Sequence, residues 1–336
     1  MQIDWLILER LRQKFLAGTA GAPDYWQSTE DLAQYDRTFA QRIGWKWDFV
    51  LDDLAQLGWG PPPGNLVDWG CGSGIAHRAF LDRFGFTTSA NLHLVDRSTT
   101  AVQFAARRAR EKYPRLTVHE GLPESIGLLL ISHVATELTQ SQLAELERLA
   151  LHAQSVIWVE PGTYEASLIL IAMRERLRKD LHIAAPCPTQ NRCGILSPGN
   201  ESHWCHQFAS PPPFVFTDAF WGAFSKRMEI DLRSLPLSYL VMGRQPAPRR
   251  PTNAVRALGR PRFFKAHAEL LGCGTDGVCF RKVTKRDDPT SYRLLKKGHC
   301  PSMERWTCLG DRITSRRPLD SHDGGGENLK AAPPRA

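Results

Sequence analysis

A glycine-rich turn flanked by acidic residues carries the clearest chemistry in this sequence. The segment DWGCGSG, residues 68–74, follows a short apolar run and precedes a helix-like segment. Its glycines are Gly70, Gly72 and Gly74. Glycine lets the backbone turn tightly and approach a ligand closely, and the start of the next helix offers free N–H groups. Asp96 ends the following apolar run, where a carboxylate can accept hydrogen bonds from ribose hydroxyls. The pattern predicts a nucleotide-type cofactor site.

The spacing of the glycines bears on which cofactor binds. Dinucleotide sites follow G-x-G-x-x-G, whereas this chain has G-x-G-x-G with Asp68 two residues before the first glycine. That pattern resembles motif one of the S-adenosylmethionine-dependent methyltransferases. The resemblance implies that Asp68 lies near the methionine end of the cofactor and that Asp96 holds the ribose. NAD is the alternative cofactor. The alternative interpretation of the motif is a glycine-rich turn that binds no ligand.

Two later segments place polar residues at the same expected edge of a sheet. The stretch SHVATEL, residues 132–138, contains His133 as a candidate base or hydrogen-bond donor and Glu137 as a candidate orienting group. Capping and packing of the next helix explain both residues equally well. Glu160 ends another apolar run, so we expect it at the cofactor edge as well.

The order of apolar and helical segments predicts the fold. Between residues 65 and 183, strand-like runs alternate with helix-like segments, which is typical of a mostly parallel sheet with right-handed crossovers and helices on both faces. We therefore predict an α/β Rossmann-like methyltransferase fold. The expected regions are an N-terminal helical extension (1–60), a cofactor-binding core (61–183), a metal-binding and basic region that completes the sheet (184–300), and a disordered tail (301–336).

Cysteines cluster in a loop rich in proline and glycine. Cys187, Cys193 and Cys205 fall within nineteen positions, and Cys273 is a distant candidate for a fourth ligand. Four thiolates suit tetrahedral zinc or an iron–sulfur cluster. Cys279 competes with Cys273 as the fourth ligand, His206 is a further candidate ligand, and ordinary thiols are the alternative to a metal site.

Charge and composition narrow the class of partner. Residues 226–300 hold 17 Lys and Arg against 6 Asp and Glu, a net +11, so the rest of the chain carries −3 of the total +8. A polyanion such as RNA fits this asymmetry, although a solvated surface explains it as well. Candidate phosphate contacts are Arg244, Arg249, Arg250, Arg256, Arg260, Arg262, Arg281, Lys282, Lys285 and Arg286, and candidate stacking residues are Phe263, Phe264 and Tyr292.

The sequence also bears on the location of the protein. No apolar run is long enough to span a membrane. The N-terminus lacks signal- or transit-peptide features, so the expected location is the bacterial cytoplasm rather than the mitochondrion.

Taken together, the two candidate sites resemble one family, that of mitochondrial and bacterial small-ribosomal-subunit methyltransferase-like proteins. The resemblance covers about residues 25–297 and is carried by DWGCGSG (68–74), SHVATEL (132–138), VEPG (159–162), APCPTQNRC (185–193), HWCHQF (203–208), LSYLV (237–241) and CGTDG (273–277). It implies S-adenosylmethionine, a 4Fe–4S cluster on Cys187, Cys193, Cys205 and Cys273 with zinc as the alternative, and binding to ribosomal RNA and ribosomal proteins. Gly194 after the second cysteine and Gln207 before Phe208 depart from the family pattern.

Three functions are compatible with these features. The first is a methyltransferase that acts on the small ribosomal subunit. The second is a non-catalytic assembly factor that only binds ribosomal RNA. The third is a metal-dependent methyltransferase for a small molecule, which the basic segment disfavours.

Overall fold

The computed structural model describes residues 3–18, 25–85, 91–247, 250–301 and 303–319. Its helices are α1 (Trp5–Leu16), α2 (Thr29–Arg37), α3 (Phe39–Gln56), α4 (Ile75–Phe84), α5 (Thr99–Lys112), α6 (Gln140–His152), α7 (Tyr164–Leu177), α8 (Ala219–Met228) and α9 (Pro289–Lys296). Its strands are β1 (Leu66–Trp69), β2 (Asn91–Val95), β3 (Thr117–Glu120), β4 (Ile126–Ser132), β5 (Ala153–Pro161), β6 (His182–Ala185), β7 (Gln207–Ala209), β8 (Leu235–Gly243), β9 (Ala254–Phe263), β10 (His267–Gly274), β11 (Gly277–Thr284), β12 (Met303–Leu309) and β13 (Arg312–Pro318). None of the described helices combines the length and apolar character needed to cross a membrane.

The first eight strands form one sheet in the order β3-β2-β1-β4-β5-β8-β6, with β7 also paired to β8. The strands β1 to β5 are mutually parallel, and β8 runs antiparallel to β5 and to β6. Apolar clusters lie on both faces, one of them packed against α3 and α4 and the other against α6 and α7. The predicted Rossmann-like methyltransferase fold is therefore confirmed.

Three helices at the N-terminus pack beside the carboxyl ends of the central strands. Ser28 caps α2, because its hydroxyl accepts the Asp31 backbone N–H. The helical segment breaks at Thr38, so α2 and α3 are separate helices. A buried ion pair between Asp53 on α3 and Arg256 on β9 (Nη2–Oδ2 3.0 Å) ties this region to the C-terminal strands.

The last five strands form a closed barrel in the order β10-β11-β13-β12-β9. Its interior includes Leu270, Val283, Trp306 and Ile313. The expected tail from residue 301 is therefore wrong for residues 303–319, and the boundary at 300 cuts through the barrel. Residues 303–318 carry few apolar side chains, and their strands exist because they pair with β9 and β11, which lie earlier in the chain. Residues 320–336 of the predicted tail lie outside the described residues.

Candidate functional site

The glycine turn lies where the sequence places it, between β1 and α4. Gly70, Gly72 and Gly74 all have positive φ angles, of 69°, 51° and 81°. A Cβ at position 70 would lie 2.7 Å from Val134 Cγ1, and one at position 74 would lie 2.4 Å from His77 Cε1. Position 72 is different, since a Cβ there would meet nothing within 4 Å. Two of the glycines are thus required by packing, and the middle one leaves open space at the turn.

Asp96 connects this turn to the end of β2. Its Oδ2 accepts the Gly72 N–H and its Oδ1 accepts the Ser98 N–H, both at 2.9 Å. Burial raises the pKa of the Asp96 carboxyl, while the two backbone N–H groups and nearby Arg97 act in the opposite direction. The side chain also lines a large cavity, so the carboxylate fixes the glycine turn and faces the space that a cofactor would occupy.

Asp68 does not line that cavity. It is completely buried, and its Oδ2 lies 2.7 Å from Nδ1 of His77 on α4. The His77 backbone N–H also points to Oδ2, at 3.4 Å. Asp68 therefore joins α4 to β1 beneath the glycine turn, and the structure places the predicted methionine-end residue behind the cavity wall. Sequence reasoning did not identify His77, whose role depends on this contact.

Glu160 also lies behind the wall. Its Oε1 accepts the backbone N–H groups of Val134 and Ala135 at 3.1 and 3.0 Å and the indole N–H of Trp158 at 2.6 Å. Burial raises the pKa of Glu160 to about 7, although all three donors act to lower it. Its side chain holds the segment after β4 in place instead of lining the cavity.

His133 lines the cavity and forms a pair with a lysine from α3. Its Nε2 lies 3.2 Å from Lys46 Nζ, and its Nδ1 lies 3.3 Å from Ser132 Oγ. Burial, Lys46 and Arg42 together hold the pKa of His133 well below its ordinary value. Burial also lowers the pKa of Lys46 to about 7, with a further decrease from Arg42 and an opposing effect of Glu160. Near neutral pH the imidazole is neutral and the amine is poised to exchange a proton.

Glu137 lies at the edge of the same cavity. Its Oε2 is 4.0 Å from Arg97 Nη2. Burial raises the pKa of Glu137, and Arg97 opposes that shift. The two predicted catalytic residues therefore face one space, but Lys46 was missed. Its one local signal is a cation between Trp45 and Trp47 on a helix face that is buried.

The cavity has a volume of about 660 Å³. Its floor is formed by the glycine turn and by the ends of β2 and β4, and its cover comes from the N-terminal helices. Aromatic rings line the cover, among them Phe15, Tyr35 and Phe39. Arg12 and Arg42 also line it, so the covering side offers stacking surfaces and positive charge.

The four predicted cysteine ligands converge on one side of the sheet. Cys193, Cys205 and Cys273 belong to one apolar cluster with Leu258 and Val278. Burial raises the pKa of Cys193 to about 11 and that of Cys205 to about 12, and the charge of Cys187 adds to both shifts. The pKa of Cys273 is also raised well above its ordinary value, by burial and then by all three other thiols. The four side chains therefore lie within electrostatic range of one another.

Arg174 on α7 lies against this group. Its Nε is 3.1 Å from Cys187 Sγ, and its Nη2 donates to the Asn191 carbonyl at 2.7 Å. In the part of the chain that the structure describes, no three Cys, His, Asp or Glu side chains are arranged as ligands of a metal ion. The thiols are near neighbours without closing around a single ion.

The two competing ligand candidates interact with other side chains. Cys279 interacts with Arg281, Asp276 and Cys308. The His206 ring stacks on Trp204 at a centroid distance of 4.5 Å.

Two of the predicted phosphate-binding residues bond to other groups of the protein instead. Arg256 is 1% exposed and forms two bonds to Asp53 at 3.1 and 3.0 Å. Arg250 donates to the carbonyl groups of Leu57 and Ala184. The prediction that Arg256 contacts RNA is therefore wrong, because a guanidinium buried against a carboxylate cannot reach a phosphate. Arg249 lies outside the described residues.

Comparisons with solved structures find methyltransferases. The plantazolicin methyltransferase BpumL in complex with SAH is 14% identical and has a TM-score of 0.36, over 71% of this chain and 100% of that chain. A SAM-dependent methyltransferase from Leishmania major is 13% identical with a TM-score of 0.35, over 71% and 82%. The 16S rRNA methylase ArmA is 15% identical with a TM-score of 0.35, over 55% and 92%. At these scores the likeness is partial, and the fold assignment rests on the strand order.

A comparison with curated protein sequences finds no match. A family model does match, over residues 48–300 of the 336 in the chain, and it is described as mitochondrial small ribosomal subunit Rsm22. The matched range includes the glycine turn, Asp96, His133 and the four clustered cysteines. This chain therefore belongs to the Rsm22 family of the mitochondrial small ribosomal subunit.

Proposed function

We propose that this chain binds S-adenosylmethionine in the cavity beside the glycine turn and acts as a methyltransferase-type protein on the RNA of the small ribosomal subunit. The observation that carries the proposal is Asp96, whose carboxylate holds the Gly72 N–H at 2.9 Å and also lines the cavity. The choice of the small ribosomal subunit as the partner follows from membership of the Rsm22 family.

The residues fit the cofactor. A volume of about 660 Å³ lies in the range of small-molecule sites. The open space at position 72 allows a ligand to approach the backbone, and Asp96 offers a carboxylate at the carboxyl end of β2. When bound, the cofactor supplies an electrophilic methyl group. Within this proposal, Asp68 and Glu160 act as positioning residues because neither lines the cavity.

Protein groups then orient the methyl acceptor. Methyl transfer depends chiefly on a positioned nucleophile. In the proposed reaction, Lys46 and His133 hold one exchangeable proton between Nζ and Nε2, and Glu137 orients the acceptor from the rim. In this proposal the acceptor is a base of the ribosomal RNA, and a ribosomal protein side chain is the alternative acceptor.

A titration of SAH into the full chain tests the cofactor proposal, with Gly72→Arg as the variant. Because the space at position 72 is open, the arginine fills the proposed site without a clash in the fold, and we expect binding to be abolished. Unchanged SAH affinity in this variant would exclude the site.

The alternative function is a non-catalytic assembly factor. One observation favours it: His133 already bonds Lys46 and Ser132, which is also what a purely structural role would require. Labelled cofactor with immature small subunits separates the two functions. An enzyme transfers label in the wild type and not in His133→Ala, whereas an assembly factor transfers none and its His133→Ala variant supports normal subunit assembly.

We also propose that Cys187, Cys193, Cys205 and Cys273 hold a 4Fe–4S cluster, with zinc as the alternative. Four neighbouring thiols, of which Cys193 is buried and the other three are partly buried, suit a group bound by thiolates, and Arg174 lies beside Cys187. Anaerobically purified protein should contain iron and absorb broadly in the visible range. Cys205→Ser should lose both signals, and Cys308→Ser, an exposed thiol, should keep them. Colourless wild-type protein with stoichiometric zinc would exclude the iron cluster.

The family description favours a mitochondrial location over the bacterial cytoplasm expected from the sequence. Fractionation of cells that express the tagged chain tests this part of the proposal. Co-sedimentation of the chain with small subunits on a gradient tests the partner.

A further inference from the structure

The C-terminal barrel has a connectivity that nucleic-acid-binding domains use. Three strands, β9 to β11, precede α9, and β12 and β13 follow it. The barrel closes through antiparallel pairing of β12 with β9 and parallel pairing of β11 with β13. This is the strand order of an OB-fold, whose second and third strands often bind oligonucleotides. Since a fold does not determine a function, the side chains on this face determine whether it can bind an oligonucleotide.

The outer face of β9 to β11 has two halves. Around Cys273 it is covered, because the cysteine-rich loop lies against β11: a Cβ at Gly194 would be 2.9 Å from the Val278 nitrogen. Farther along the strands the loop no longer covers the face, and Arg260 and Arg262 are exposed. A ligand could reach only this second half.

Aromatic rings support both of these arginines. The Arg260 guanidinium lies 4.3 Å from the centroid of the Phe208 ring, and that of Arg262 lies 5.1 Å from the Phe280 ring. Within the described ranges, neither guanidinium has a carboxylate within 4.0 Å. A ring beneath a guanidinium restricts its motion and leaves its other side open. That open side can stack on a base and bond to a phosphate.

The face also lies next to the proposed cofactor cavity. Arg260 Nη2 donates to the Arg233 carbonyl at 3.4 Å. Asp231 and Ser234, on either side of Arg233 in the chain, line the cavity. A strand on this face would therefore pass the cavity rim.

We propose that Phe208, Arg260, Arg262 and Phe280, which we call the arginine–aromatic face, bind a single-stranded segment of RNA and lead it towards the cavity. The choice of RNA rests on the proposed ribosomal function. The face favours unpaired nucleotides, because stacking on a guanidinium or a ring requires a base that is free of its helix. Glu269 pairs across the strands with both Arg262 and Lys282. Lys282 also bonds Asp311 at 2.8 Å, and Asp231 interacts with Arg260 at longer range, so the positive charge offered to RNA comes from Arg260 and Arg262.

Fluorescence anisotropy of the full chain with a labelled 20-nucleotide RNA, single-stranded or annealed to its complement, tests the proposal. The variant is Arg260→Gln/Arg262→Gln. The control is Lys296→Gln/Lys297→Gln, which removes the same charge from exposed positions at the end of α9. A further variant, Phe280→Leu, removes the ring beneath Arg262 and keeps the charge.

We expect the arginine variant to lose tenfold or more in single-strand affinity, roughly what losing two charged contacts implies. Its plot of log affinity against log salt should become shallower by about 1.4, for two phosphates. Phe280→Leu should lose roughly fivefold, and the lysine control should lose less than twofold. Equal losses in the arginine variant and the lysine control, duplex binding as tight as single-strand binding, or no RNA binding by the wild type would each overturn the proposal. SAH titration and gradient co-sedimentation of the same proteins report on the proposed function separately, because neither depends on this oligonucleotide.

Discussion

Replacement of Asp96 by asparagine tests whether this residue binds a cofactor or only stabilises the glycine turn. Both carboxylate oxygens already accept a backbone N–H at 2.9 Å, from Gly72 and from Ser98. Asparagine has one acceptor oxygen, so its NH₂ group must face one of these donors or the proposed ribose. The loss of one charge-assisted hydrogen bond to the ribose corresponds to about 1.5–3 kcal/mol. We therefore expect SAH to bind roughly 10- to 150-fold more weakly.

Isothermal titration of SAH into Asp96→Asn measures this loss directly. The matched control is Asp52→Asn, an exposed carboxylate whose partner is Arg83 at 3.1 Å on the surface, and its SAH affinity should equal that of the wild type. Urea unfolding of both variants checks that the folded population is the same at the titration temperature. If Asp96→Asn is folded and binds SAH within about threefold of the wild type, the carboxylate does not hold the ribose and our interpretation of the cavity is wrong.

Three further predictions concern stability, each measured by urea unfolding. Because burial raises the pKa of Glu160 to about 7, the folded protein keeps this proton longer than the unfolded chain. The contribution of Glu160 to stability should therefore decrease between pH 4.5 and 7, so the stability of Glu160→Gln relative to the wild type should increase by about 3 kcal/mol from pH 4.5 to pH 8. The same stability difference at pH 4.5 and at pH 8 would contradict this. Gly74→Ala should cost about 3 kcal/mol, since its Cβ would lie 2.4 Å from a side-chain atom, whereas Gly72→Ala adds only about 1 kcal/mol of backbone strain; equal costs would refute the packing argument. Arg256→Met should cost about 3–5 kcal/mol by leaving buried Asp53 without its guanidinium, and adding Asp53→Asn should recover part of that loss.

Local spacing in the sequence determined the strands and helices of the parallel sheet and the edge of the sheet where the candidate site lies. Strands and helices alternate with short connections, and the apolar runs of β1, β4 and β5 are buried on both faces of the sheet. The pattern therefore predicts a parallel sheet without knowledge of long-range contacts. The glycine turn and Asp96 were found for the same reason. Both are fixed by backbone geometry within one β-turn-α unit and the strand after it.

Only the tertiary structure decided which polar groups face the cavity. Lys46 and His133 are 87 positions apart and meet because α3 packs over the end of β4. Asp68 is adjacent to the glycine turn in sequence, yet its side chain points to His77 behind the wall. The direction of a side chain at a strand end depends on what the neighbouring elements offer it, and a linear pattern does not contain that information.

The C-terminal barrel shows the same limit on a larger scale. The strands β12 and β13 carry few apolar residues. The strand β12 forms because it pairs with β9, which lies almost fifty positions earlier in the chain. Likewise, Arg256 and Arg260 look alike in the sequence, but one is buried against Asp53 and the other lies exposed on an aromatic ring. The sequence by itself determined the parallel sheet, the glycine turn and the concentration of positive charge, because these depend on neighbours along the chain. The tertiary structure decided which of those charges are free to meet a partner, because that depends on contacts between distant segments.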